Sequence, residues 1–322
     1  MTDTSSQGLQ NNAKPTFPLI LRIAIEFAAS FFAMLVIYAV SIFFNSIQGP
    51  NIITDTATIL VTGLAYSCAI SAFIRLHSSH VNPAVTIAAM LTGKTKYLDG
   101  LFYIIAQFVG AFAAAFTIPL ITPKVGLKDM KISDWYLAAT NSYNVSFPFS
   151  KFHFQYNLTF TVISALVIET IATVIVVATA INNMDENGKA KKGYVGYIGV
   201  AYVVAALLTY YATNVGLNPA RSTAVAVLAN PKSSITPPLN QLWVFFVAPI
   251  FAAAIVGFIA LAGKLIILAA EKANHTSAHK LNSHKRSSKF ELLNSSEESV
   301  SSNESNESNE TDDEETLDTL SK

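Results

Sequence analysis

Apolar residues run without a helical or strand-like alternation over six stretches of the chain, about 18–44, 57–76, 98–121, 158–182, 194–214 and 238–270. Each is close to or beyond the roughly 20 residues a helix needs to cross a bilayer. The spacing predicts six spanning helices, with Gly and Pro at the flanks (Gly49-Pro50, Gly93, Pro123, Gly188, Gly193, Pro237-Pro238) as punctuation. The last run exceeds what a bilayer requires, so its end is expected to project. The first has no charged leader or cleavage pattern ahead of it and reads as a retained span. Two shorter apolar stretches, Val81–Leu91 and Leu217–Leu228, are about half a span and carry Asn-Pro-Ala near their start.

Those short stretches organise the rest. Asn82-Pro83-Ala84 and Asn218-Pro219-Ala220 lie 136 positions apart, and the intramembrane acids Glu26 and Glu169 lie 143 apart. The order span, span, half-helix, span therefore occurs twice. Three spans per copy is an odd number, so the second copy enters from the opposite side as an inverted repeat. The expected fold is an all-α membrane protein of six transmembrane helices plus two half-helices.

Composition agrees. The 322 residues are 52% hydrophobic and 13% charged, with mean hydropathy +0.42, against about 25% charged for soluble domains. An ordinary soluble enzyme, a disordered protein and a basic nucleic-acid binder are excluded, and no nucleic-acid partner is expected. The lone Cys68 allows no intrachain disulfide and reads as a small buried apolar residue. No nucleophile–base pair, phosphate loop or metal cluster stands out, so neither catalysis, a metal nor a cofactor is expected; His275, His279 and His284 are too loosely arranged for a metal site.

The formal net charge of zero hides an asymmetry. Eleven of the 21 acids fall from Glu291 onward, against the single base Lys322, so residues 1–290 hold 20 bases and 10 acids. Lys and Arg concentrate on one side of the spans (Arg22, Arg75, Lys94, Lys189, Lys264), which places both termini in the cytoplasm. The long 122–157 loop then faces out, with sequons at Asn144 and Asn157. Three regions are expected: a cytoplasmic segment 1–17, a membrane domain 18–270, and a disordered cytoplasmic tail 271–322, basic then acidic. Its basic start suits anionic lipid headgroups, and Ser287 and Ser288 are candidate phosphosites.

Pro at the first helical position loses nothing by lacking an N–H, and Asn82 and Asn218 cap the helix starts. Two N-termini meeting at the membrane centre, each with about half a positive charge, repel cations including hydronium. The Asn amides are expected to remain as donors to a passing neutral oxygen. This is a pore for water and small neutral solutes that excludes ions and protons.

With His80 ahead of the first Asn-Pro-Ala, Arg221 after the second, and Ala106-Gln107-Phe108-Val109-Gly110-Ala111, the chain over about 18–270 resembles the major intrinsic protein family, the aquaporins and aquaglyceroporins. The resemblance implies a homotetramer in the cell membrane with one pore per subunit and no cofactor. It also implies an outer constriction, which by the family's spacing falls on Thr62, Ala206, Val215 and Arg221. Water-selective members place Phe and His in that ring, and glycerol-conducting ones Trp and Phe. No aromatic stands there here, so the ring is expected to be wide enough for glycerol, urea, ammonia or hydrogen peroxide. Ser222, Ala226, Trp243 and Phe245-Phe246 resemble the bacterial water-channel pattern. Ser78 stands where the family has Gly, and Ala252-Ala253 in span six, with Gly110-Ala111 opposite, replaces a Gly-rich contact.

Glu26 and Glu169 are expected, with His80, to position the pore loops. Alternatives are a proton-coupled secondary transporter using the two acids as relays and a strict water channel. His77 is a weaker candidate for a cytoplasmic pH gate. Tyr66 and Tyr211 face either the pore or the lipid.

Overall fold

The computed structural model describes residues 17–44, 51–77, 79–122, 132–143, 160–229 and 237–310. Both sequons, Lys124, Lys128, Lys131, Lys151, Lys232 and Ser78 lie outside them. The chain divides into Met1–Leu261 and Ala262–Lys322.

In the first unit, α1 (Leu19–Phe43), α2 (Ile52–Phe73), the half-helix α3 (Pro83–Leu91) and α4 (Tyr97–Ile121) form one repeat. A short α5 (Ile132–Trp135) runs into a 3-10 turn (Tyr136–Ala139). The second repeat is α6 (Val162–Asn182), α7 (Tyr194–Thr213), the half-helix α8 (Pro219–Leu228), a short α9 (Pro238–Gln241) and the start of α10 (Val244–Glu310). Six helical segments among the described residues are long and apolar enough to cross a membrane.

Local chemistry explains the boundaries. α2 begins before the expected 57 because Asn51 caps it, accepting from Ile53 and Thr54 while Thr54 reaches back to the Asn51 N–H. The polar Thr54 and Asp55 hid that start, but both are buried: Tyr210 and Tyr211 donate their hydroxyls to Asp55 at 2.9 Å. α7 ends at Asn214 in the left-handed region, whose N–H closes on Tyr210 O.

The interior is small and the outside large. Ala29, Ala33, Ala111, Ala114, Ala172, Ala205 and Ala224 are fully buried, while Phe32, Leu64, Leu101, Phe116, Ile171 and Leu207 are exposed. Such an inverted arrangement suits helices that approach closely and present bulk to lipid. A Cβ on Gly110 would lie 2.6 Å from Phe27 O, so this residue seats α4 against α1. The sequence pattern places it opposite span six; there the contact is instead the Phe108–Phe246 ring pair at 6.0 Å. Cys68 is exposed, correcting its expected burial, because its turn of α2 points away from the bundle.

In the second unit α10 stays helical through Glu310, where the sequence suggested disorder from 271. Helical hydrogen bonds are local and need no packing partner, and Thr276 and Ser277 add bonds from their hydroxyls to Lys272 O and Ala273 O. The sequence signal was the lack of an apolar face, which concerns packing and not backbone form.

Candidate pore site

Each half-helix starts in the same way. Asn82 is extended (φ −150°) and its Oδ1 accepts from the Ala84 N–H at 2.9 Å. Asn218 (φ −139°) accepts from Ala220 at 2.9 Å and Arg221 at 3.2 Å. Pro83 and Pro219 follow the caps. The caps then cross. Asn82 Nδ2 donates to Leu217 O at 3.0 Å, and Asn218 Nδ2 donates to Val81 O at 2.8 Å. The two N-termini are thereby tied start to start.

Val81 and Leu217, the residues before the two asparagines, both take left-handed backbone (φ 56° and 57°). That conformation is unfavourable for any residue with a Cβ, and most for the β-branched Val81, so it needs external support. Two membrane carboxylates supply it. Glu26 accepts from the His80 N–H at 2.6 Å and the Val81 N–H at 3.0 Å. Glu169 accepts from Gly216 at 2.9 Å and Leu217 at 2.7 Å. Both are fully buried. Thr213 donates to Glu169 as well, and Gln107 Nε2 donates to Glu26 at 2.8 Å.

The asparagine amides are not left open as the sequence suggested. Asn82 Nδ2 also donates to the Tyr202 hydroxyl, and Asn218 Nδ2 to the Tyr66 hydroxyl, each at 2.9 Å. The two rings stack on each other, 3.5 Å between centroids and 5° from parallel. Tyr66 is on α2, four residues after Thr62, and Tyr202 is on α7, four before Ala206. A spacing of four keeps each on the same helix face, one turn along. That spacing is the signal the sequence offers; hydropathy alone leaves Tyr66 facing either pore or lipid and does not single out Tyr202. Tyr211, the other undecided ring, lies with Asp55.

Thr62, Ala206, Val215 and Arg221 are all buried. The Thr62 hydroxyl donates back to Thr58 O at 2.9 Å. Arg221 Nη1 donates to Asn141 Oδ1 at 2.6 Å, and Tyr38 holds the Arg221 carbonyl at 2.8 Å. Asn141 in turn donates to Thr213 O and Asn214 O, and Asn214 donates to Ala138 O and Thr140 O. The connection between the repeats thus grips the end of α7 and the arginine together. Arg221 Nε, also buried, has no hydrogen-bond partner among the described residues. Asn141 was missed because it sits in a segment read only as an outward loop.

At the opposite end lies a cavity of about 540 Å³, lined in part by Arg22, His77, His80, Lys94, Asp99 and Tyr103. His77 Nε2 contacts Glu26 Oε1 at 3.1 Å. Arg22 pairs with Asp99 at 3.0 Å and donates to the Tyr103 hydroxyl at 2.6 Å. His80 sits in the loop between α2 and α3. Its ring meets the Thr86 hydroxyl at 3.1 Å, whereas its backbone N–H carries the bond to Glu26.

Comparison with known proteins matches residues 15–260 to the family described as Major intrinsic protein. The chain is 34% identical over 200 residues to Aquaporin Z of Photorhabdus laumondii, covering 62% of this chain and 78% of that protein. It is 26% identical over 228 residues to the lens fiber major intrinsic protein of Ovis aries, covering 70% and 75%. Among solved structures, the aquaglyceroporin from Plasmodium falciparum aligns with a TM-score of 0.60 at 19% identity, covering 74% of this chain and 94% of that one. That last likeness concerns the fold.

Proposed function

The chain belongs to the major intrinsic protein family, and on that premise we propose a passive channel for water and small uncharged solutes that excludes ions and protons. The observation that carries this reading is the start-to-start meeting of two Asn-capped half-helices through Asn82 and Asn218. Two helix starts facing one point set a positive potential that a neutral solute does not feel and a cation does. Glu26 and Glu169 each accept two loop N–H groups, which supports a positioning role for both acids and offers nothing to a proton-relay reading.

Thr62, Ala206, Val215 and Arg221 form the outer ring in this reading. The buried, unpartnered Nε of Arg221 is a donor for a solute oxygen, and the fixed cation adds to the barrier against ions. The absence of an aromatic side chain at Thr62, Ala206 and Val215 makes this ring permissive for solutes beyond water. Residues 18–270 make the channel, in the cell membrane and as a homotetramer with both termini cytoplasmic. The excess of Lys and Arg on one side of the spans supports the orientation.

The test is stopped-flow shrinkage of proteoliposomes with sucrose, glycerol and urea as osmolytes, with a parallel ion-current recording. Water flux of low activation energy, entry of glycerol or urea, and no current are the expected results. A saturable flux that needs a proton gradient would overturn the reading.

A further inference from the structure

We propose that the Tyr66–Tyr202 pair, rather than the outer ring, is the station that decides which solutes pass and how fast. The inference rests on the channel reading above and deepens it. Four observations place the station. The rings are stacked at 3.5 Å and 5°. Each side chain is 1% exposed. The hydroxyls sit on the two asparagines that tie the half-helices together. The inner cavity extends as far as His80, and its lining includes neither Asn82 nor either tyrosine.

The donor count makes the consequence chemical as well as steric. A carboxamide nitrogen has two N–H groups. Asn82 commits one to Leu217 O and one to Tyr202. Asn218 commits one to Val81 O and one to Tyr66. With the rings in place, no asparagine donor remains for a solute. A molecule that crosses must part the stack and replace a phenol oxygen with its own. The solutes favoured are small, uncharged and bear a hydroxyl, carbonyl or water oxygen that can accept from an amide N–H. Large side chains are thus moved one helical turn inward from Thr62 and Ala206, where the ring itself is small. The α2 and α7 faces that carry the pair cross closely, with Gly63 and Gly199 leaving no room for a Cβ at the crossing, so the ring spacing is set by backbone packing.

The experiment compares wild type, Tyr66→Val, Tyr202→Val and the double change Tyr66→Phe/Tyr202→Phe in proteoliposomes, reading water and glycerol flux. Monodispersity and helical content in detergent serve as the folding control. Parting the pair gives up an aromatic stack and a hydrogen bond at each ring, so each Val variant is expected to raise glycerol flux roughly tenfold or more. Folded Val variants with wild-type glycerol flux would overturn the proposal while leaving the channel intact. If the Val variants do not fold, the double Phe variant decides: it keeps the rings and frees both asparagine donors, so faster water flux supports the proposal and unchanged flux overturns it. Wild type and all folded variants indistinguishable from empty vesicles would overturn the channel reading together with the proposal.

Discussion

The two repeats build the same backbone turn with different surroundings. In both, a carboxylate on the first helix of the repeat accepts two loop N–H groups, and an asparagine caps a half-helix and crosses to the other loop. Around Glu26 the neighbours are His77 and Gln107, beside a cavity of about 540 Å³. Around Glu169 they are Thr213, Gly216 and Phe245, and a Cβ on Gly216 would meet Phe245 Cδ1 at 2.5 Å and Glu169 Oε2 at 2.6 Å. One loop borders a cavity, and the other is close-packed. Symmetry of the backbone therefore fixes where the half-helices meet, while the side chains give the two mouths different characters: polar and titratable at one, a locked arginine at the other.

The largest test of that contrast removes each acid. Glu169→Ala leaves two buried N–H groups without an acceptor, a loss of about 2–6 kcal/mol at roughly 1–3 per group. Glu26→Ala should cost about half as much, because cavity water can take over part of the role. Thermal unfolding in detergent ranks the two, and equal losses would erase the distinction between the cavity-side loop and the close-packed one. Next is Gly216→Ala against His80→Ala. The first must push Phe245 or the carboxylate aside and should cost about 1–3 kcal/mol as overpacking. The second removes a ring that bonds Thr86 and should stay nearer 1 kcal/mol.

Asn141→Ala tests the locked end. It frees Arg221 Nη1 and removes the grip on the end of α7, so exclusion of ions should weaken and stability should fall by about 1–3 kcal/mol. A variant with as little ion current as wild type would show that Asn141 does not hold the arginine in its working place.

Much of this was legible beforehand because it is encoded locally. Six apolar runs, two Asn-Pro-Ala starts and two acids at matching places specify spans, half-helices and their inversion. Asn51 and Asp55 were not, since a polar helix start looks like a loop until its partners Tyr210 and Tyr211 are known. Asn141 was not, because its role arises from the chain folding back onto Arg221. Cys68 was misplaced for a related reason: an exposed thiol and a core thiol on a spanning helix occupy equally apolar sequence.

By itself the sequence determined the architecture and the family, since hydropathy, caps and repeat spacing are properties of short segments. Tertiary structure alone decided what stands between the half-helices. Tyr66 and Tyr202 are far apart in the chain, and nothing local says that their rings stack or that their hydroxyls take the asparagine donors. That follows from the close crossing of α2 and α7 at Gly63 and Gly199, where backbone approach sets the distance between two side chains whose types alone were known.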